Sequence, residues 1–517
     1  MSNPTCKLQR SPVLTTDVPQ LHTMVNELQS QVNYLKEQLQ LAIRGQFGSK
    51  ADVVNLDQMP LFEGEDTELV TMDSECDAGK KSSSNKSEKG TQTLRILKEL
   101  PTVREDIELP EDQRHCECCG HELRDIGSDV QVQIEYQPAT LTRKAIHRHK
   151  YACKHCKGGI ERVPPKAVPI PKSWASASLL AYLIVSKYAD HLPLYRIDKR
   201  LERLGLVLPR KTQGDWLLKS GELLSSLVKI MMADVLKRGH VYTDDTILPL
   251  QNDDPERKRT LQSRIWVYRT DDQHGPPIVT YDFSRSRSKE APANMLGSFR
   301  GYLQADAYTG YDHLYLNGDI KEVACWAHTR RKFVEAASLT KTPTRAHSAV
   351  QRINALYRLE RQWKSLSEDE KSVQRKEKAQ PLLKEFHTWL KNQANAVLPK
   401  SALGKAFSYT LKNWDALYRY STTGHLNIDN NWAEQSMRPI ALGRKNYLFV
   451  GSETAGHNAA ILYSLVETCK ANKINPLSYL TYVLEELPNL GRHPQLETLA
   501  ALLPYTSANI ERFKLGS

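Results

Sequence analysis

The stretch from Asn427 to Gly451, NIDNNWAEQSMRPIALGRKNYLFVG, presents one carboxylate, Glu434, followed by Arg438, Arg444 and Lys445. Its polar opening, Asn427 to Asn431, predicts the end of a strand or loop and the start of a helix, because Asp and Asn side chains satisfy a helix's free N-terminal N–H groups. An acid in the first turn, amid cations, suits a metal ligand working beside a polyphosphate backbone. The plain alternative is a surface helix N-terminus, its acid favoured by the helix dipole and its cations solvated. Partners elsewhere change that balance. Asp244 ends a short β-prone run in VYTDDTILPL, and Asp306 follows another in FRGYLQADAYTGYDHL. Aspartates at the ends of neighbouring strands can converge on one metal site, the arrangement an RNase H-like sheet supplies.

A second constellation is made of thiols. Cys116 and Cys119 form one Cys-x-x-Cys and Cys153 and Cys156 another, each with a glycine close behind (Gly120, Gly158). Four thiolates in two knuckles fit a closed, structural Zn(II) site, and the alternation in VQVQIEY and TLTRKAIHRHKYAC predicts strands between them. Cys118, His115 and His155 leave the fourth ligand open. Arg143, Lys144, His147, Arg148, His149, Lys150, Lys154 and Lys157 make the module basic, which reads as DNA contact or as a solvated face.

The elements that position these groups follow from the whole chain. Its 517 residues are enough for several domains, and a net charge of +11 favours an anionic partner, nucleic acid or an acidic membrane surface. No run of 18 apolar residues and no signal-peptide order appear, so the reading is a soluble, intracellular protein. In a reducing compartment nine cysteines, four of them in tight pairs, argue for metal over disulfides. Leu21, Val25, Leu28, Val32, Leu35 and Leu39 alternate spacings of four and three, a coiled-coil seam favouring a parallel dimer. An acidic block and then KKSSSNKSEKG read as a disordered linker. After PPKAVPIPK, a helical stretch from Ser176 to about Lys237 is broken at Pro193 and Gly205. Short helices around that glycine permit a helix-turn-helix presenting Lys211, Gln213 or Lys219.

At His240 the period changes to that of strands, continued by RIWVYRT and PPIVTYDF. The long gap between Asp306 and Glu434 is charge-rich and helically periodic from about Arg331 to Tyr420, which predicts a helical insertion. CWAHTRRKF, at its start, reads as a buried Cys325 and a basic helix carrying Arg330, Arg331 and Lys332; Cys325 and His328 lack a second ligand pair nearby.

The segment around Glu434 resembles the IS66 family of insertion-sequence transposases, in which an Asn-Asn-x-Ala-Glu box precedes Arg-Pro-(apolar)2-x-Gly-Arg-Lys-Asn. The resemblance extends to Asp244-Asp245-Thr246, where the family has Asp-Glu-Thr, and to Gln304–Tyr311. It also covers KYADHLPLYR, ERLGL, the N-terminal zipper running into Phe47-Gly48, and the tail ALLPYTSANI. It implies a DDE triad of Asp244, Asp306 and Glu434 holding two Mg or Mn ions, with Asp244 chosen over Asp245 by alignment. Arg438, Arg444 and Lys445 would neutralise phosphates. The implied reaction is cleavage at the ends of a mobile element and strand transfer into target DNA, in the bacterial cytoplasm. The implied partners are double-stranded DNA, further copies of the chain in a homodimer or higher oligomer through the coiled coil, and small accessory proteins of the same element. Two other classes remain: a DNA-binding regulator without catalysis, and a metal-dependent nuclease that does not join strands.

The expected fold is multidomain, α+β and α/β. It comprises a coiled coil (1–59), a linker (60–95), a zinc ribbon-like module (96–165) and a helical DNA-binding region (166–238). An RNase H-like mixed-sheet core (239–334 and 421–485) follows, interrupted by the insertion (335–420) and closed by a C-terminal element (486–517).

Overall fold

The computed structural model describes residues 139–152, 160–162, 165–252, 260–339, 342, 344–491 and 493–515, with Val25, Leu28, Gln31, Val32, Leu35 and Leu39 as helical positions. Cys116, Cys119, Cys153, Cys156 and the linker lie outside the described residues. At the N-terminus, Val25, Leu28, Val32, Leu35 and Leu39 are all exposed. Arg143, Lys144 and Arg148 lie on an exposed, irregular segment that leads into β1 (Lys150–Ala152), which pairs antiparallel with β2 (Ile160–Arg162).

Helix α1 (Ala177–Tyr188) starts where Ser176 caps it, its hydroxyl accepting from the Leu179 amide at 3.2 Å. Pro193 opens α2 (Leu194–Arg203), and Gly205, at φ +86°, turns the chain towards α3 (Arg210–Lys237). The third helix is 28 residues long, not short, because its inward face continues: Leu217, Leu224, Leu227, Met231 and Val235 are all buried.

Five strands follow: β3 (His240–Leu250), β4 (Leu261–Arg269), β5 (Val279–Ser284), β6 (Gly301–Ala305) and β7 (Ile320–Ala324), with α4 (Glu290–Leu296) between β5 and β6. They form one mixed sheet in the order β5-β4-β3-β6-β7; β3, β4 and β5 pair antiparallel, while β6 and β7 run parallel to β3 and to each other. Central strands this apolar, with Val241, Tyr242, Ile265, Trp266, Val267 and Tyr268 all buried, need cover on both faces.

Beyond β7 come α5 (Trp326–Ala337), α6 (Arg345–Gln362), α7 (Glu368–Gln374), α8 (Gln380–Ala394), α9 (Ala402–Lys412) and α10 (Trp414–Tyr418). All of these except α7 share an apolar cluster including Trp326, Phe333, Ile353, Tyr357, Leu383, Phe386, Phe407 and Trp414, into which Val323 and Ala324 of β7 also pack. A buried pair fastens this layer to the returning chain. Arg375 grips both oxygens of Glu360, at 2.9 and 2.6 Å, and donates to the carbonyls of Tyr420, Thr423 and Leu426. All three guanidinium nitrogens are engaged, as burial of this charge requires.

The chain then forms α11 (Asn431–Tyr447), α12 (Glu453–Ala471), α13 (Pro476–Glu486), α14 (Leu496–Ala501) and α15 (Ser507–Arg512). Helix α12 closes the β5 edge of the sheet. The Ser464 hydroxyl accepts from the Tyr281 amide at 2.8 Å, and that of Thr468 accepts from the Val279 amide and donates to its carbonyl. Two side chains thus satisfy backbone groups that an open edge would leave to water.

Candidate active site

Adjacent residues on a strand point to opposite faces, so Asp244 and Asp245 of β3 have different fates. Asp245, with its side chain only 2% exposed, accepts from Arg264 at 3.0 Å and from Nε and Nη2 of Arg287 at 3.0 and 2.7 Å. Both its oxygens are committed. Among the described residues, Asp244 accepts only from the neighbouring Asp245 amide, at 2.8 Å. Burial first, then the negative fields of Asp306 and Glu434, push its carboxyl up to about 8.

Asp306 follows β6, which runs parallel to β3. Its Oδ1 accepts from the Tyr308 amide at 3.1 Å, an Asx turn that Ala307 completes at φ 60°. The surrounding box fixes that turn. Tyr308 stacks on the Arg287 guanidinium, 3.8 Å from ring centroid, and donates to the Arg287 carbonyl at 2.7 Å. Gly310 lies beneath the same ring, where a Cβ would come within 2.1 Å of it. Tyr311 hydrogen-bonds the Thr243 hydroxyl at 3.2 Å, and the Asp306 carbonyl accepts from Tyr409 of α9 at 2.8 Å. Arg287 also approaches Asp306, 3.7 Å away.

Glu434 stands in the first turn of α11. The polar run before it is stitched to the sheet. Gln304 of β6 donates to the carbonyls of Asn427 and Asp429, both at 2.8 Å, while its own oxygen meets His240 Nε2 at 3.1 Å. Asn427 donates to the Tyr242 hydroxyl at 2.7 Å and Asn430 to the Thr243 carbonyl at 2.8 Å. On the other side, the Asn430 amide donates to Cys325 Sγ at 3.2 Å and the Trp326 amide to the Ile428 carbonyl at 3.1 Å. Asp429, buried and pushed up to about 6 chiefly by that burial, accepts from the amide and side chain of Asn431. Glu434 itself faces α5: Arg331 donates to Oε2 at 3.3 Å, and His328 Nδ1 lies 3.4 Å from Oε1.

The cations marked in the sequence divide into two groups. Arg444 donates to the Thr246 hydroxyl and the Ile247 carbonyl at 3.0 and 2.6 Å, tying α11 to β3. Arg438 and Lys445 are exposed, as are Lys211 and Lys219 on α3; Lys219 pairs with Asp215 at 2.8 Å. Sequence reasoning missed His328 and Arg331 as neighbours of Glu434, and Gln304, Asn427 and Asn430 as its scaffold. A signal was present: amide side chains crowded beside acids in both QAD and NIDNN.

The described residues contain no helix long and apolar enough to cross a membrane. Three family models match the chain: the transposase IS66 family over residues 172–458, the IS66 C-terminal element over 464–505, and the zinc-finger binding domain of transposase IS66 over 113–157. Similar proteins occur in Sinorhizobium fredii (strain NBRC 101917 / NGR234). The uncharacterized protein y4jD is 33% identical over 420 residues, covering 79% of this chain and 81% of that one. The uncharacterized protein y4hP is 29% identical over 497 residues, covering 91% and 87%. With the transposase model spanning more than half its length and the zinc-finger and C-terminal models on either side, the chain belongs to the IS66 family of transposases.

Proposed function

We propose that this protein is a DDE transposase that binds the ends of its mobile element, cleaves them, and transfers the freed strand into target DNA by in-line displacement at phosphorus. Its core is read as RNase H-like, with Asp244 on the central strand, Asp306 after the parallel neighbour and Glu434 on the following helix. The observation that carries the proposal is the state of Asp244. Its carboxyl is driven up to about 8 by burial and by the fields of Asp306 and Glu434. Negative charge so concentrated, with Asp245 withdrawn into its arginine cage, fits a divalent cation.

Bound there, Mg(II) or Mn(II) would polarise the scissile phosphate and ease deprotonation of the attacking water or 3′-hydroxyl. Asp244 and Asp306 would hold the ion, and Glu434 would complete its ligand set and orient the nucleophile. Asp245, Arg264 and Arg287 hold β3 in register beneath them. Arg331 holds the Glu434 carboxylate until substrate arrives. Arg438 and Lys445 meet phosphates, while Arg444 anchors the helix that carries them. Arg143, Lys144, Arg148 and Lys150, in the module whose Cys116, Cys119, Cys153 and Cys156 would hold zinc, bind element ends together with Lys211 and Lys219. The N-terminal seam pairs two copies, so that two ends are held at once.

The test is incubation of purified protein and labelled element-end DNA with Mg(II) or Mn(II), scored for a 3′-end covalently joined to a new strand. Joined product only with metal supports the proposal. Cut but unjoined DNA would make the protein a nuclease, and metal-independent binding without cutting a regulator.

A further inference from the structure

We propose that Cys325, His328 and Glu434 form a second cation site, selective for a thiophilic divalent ion of the zinc, cadmium or cobalt(II) class, that draws the third acid away from the other two. Cys325 and His328 stand one turn apart at the start of α5, and Glu434 reaches them from the start of α11. One donor atom from each lies within 4.8 Å of the other two.

The details fit a ligand set better than a packed core. Among the described residues, the buried atoms His328 Nδ1 and Glu434 Oε1 have no hydrogen-bond partner, and they lie 3.4 Å apart. Two ligand atoms on a tetrahedral ion at bonds of about 2.0 Å are separated by roughly 3.3 Å, so this edge is already near its bound length. Arg331 occupies Oε2, which leaves Oε1 directed at the imidazole. Cys325 Sγ receives the Asn430 amide at 3.2 Å, an outer hydrogen bond of the kind a thiolate ligand needs. Closure requires the sulfur, within 4.8 Å of the other two donors, to come to roughly 3.5 Å from each, with loss of the thiol proton to solvent.

Donor chemistry sets the selectivity. Sulfur, imidazole and one carboxylate oxygen favour zinc-like ions over magnesium, whereas Asp244, Asp306 and Glu434 offer oxygen alone. Glu434 belongs to both sets and its Oε1 cannot serve both at once. A thiophilic ion therefore inhibits strand transfer by capturing Glu434. That consequence, unlike the site itself, rests on the catalytic role proposed for Glu434.

The experiment compares Co(II) uptake and thiolate-to-cobalt charge-transfer absorption in the full-length wild type, Cys325→Ala and His328→Gln. Any cobalt in the zinc-finger module is common to all three. The wild type is expected to take up a single additional ion per chain, with a charge-transfer contribution absent from Cys325→Ala. Equal uptake and equal spectra in the wild type and a folded variant would overturn the site and leave the role of Glu434 untouched. His328→Gln, at a half-buried position, keeps the comparison valid if Cys325→Ala fails to fold. Additional uptake with undiminished strand transfer would uphold the site and contradict catalysis by Glu434.

Discussion

Asp244 and Asp245 are chemically identical neighbours separated only by the pleat of one strand. The cage around Asp245 leaves Asp244 facing two other acids, and its raised pKa has a consequence for stability. The folded protein holds the Asp244 proton more tightly than the unfolded chain does. The associated stabilisation is complete below about 4 and is lost as pH rises through about 8. Without divalent ions, the melting temperature of the wild type should fall relative to Asp244→Asn across that window. Parallel curves for the two proteins would contradict the assignment. Asp245 has the opposite role: its removal strands Arg264 and Arg287 in partly buried positions. Asp245→Ala should cost about 2–3 kcal/mol, the low end for a broken buried pair because both arginines keep some solvent contact. Denaturant unfolding measures this, and a loss under about 0.5 kcal/mol would place the cage outside the stability of the sheet.

At the scale of elements, the decisive feature is the polar run that delivers α11 to the sheet. Asn430→Ala removes the donor to the buried Thr243 carbonyl and should cost about 1–3 kcal/mol. It should also lower strand transfer more than DNA affinity, because the first turn that carries Glu434 loses its tie to β3 while Arg444 still anchors the end of the helix that carries Lys445. Unchanged transfer at reduced stability would make Asn430 purely structural. The elements were legible where local chemistry decides them. Ser176, Pro193 and Gly205 punctuate the first three helices as their conformational preferences require, and the switch to strands at His240 is where the structure has it. Their partners were not legible. Nothing near Arg444 in sequence announces that its guanidinium turns to β3, and the Gln304 contacts with Asn427 and Asp429 span more than a hundred residues. Two glycines, Gly214 and Gly221, lie inside α3 without breaking it. Gly221 is instead a contact point, where a Cβ would fall 2.0 Å from the Asn458 side chain.

Across the whole molecule, a layer of helices with its own apolar cluster sits between the second and third acids in sequence yet reaches back to the site. Tyr409 braces the Asp306 carbonyl, Arg331 and His328 face Glu434, and Arg375 holds the chain that returns to Asn427. The layer therefore positions two of the three acids and is more than a spacer. The net charge of +11 makes affinity for DNA fall with salt. Arg438→Ala should weaken binding similarly across DNA sequences and reduce the salt slope by about 1, as loss of one phosphate contact does. An unaltered slope in filter-binding titrations would remove Arg438 from the interface.

The most direct test of the account is strand transfer of a pre-cut element end in Mg(II) by the wild type and by Asp244→Asn, Asp306→Asn and Glu434→Gln, each adjusted to equal DNA occupancy. The account predicts that every substitution lowers the joined product about a hundredfold or more, the scale of losing a group that acts on transition-state charge. Wild-type joining by any one of the three would contradict the convergence of these acids on a single catalytic centre.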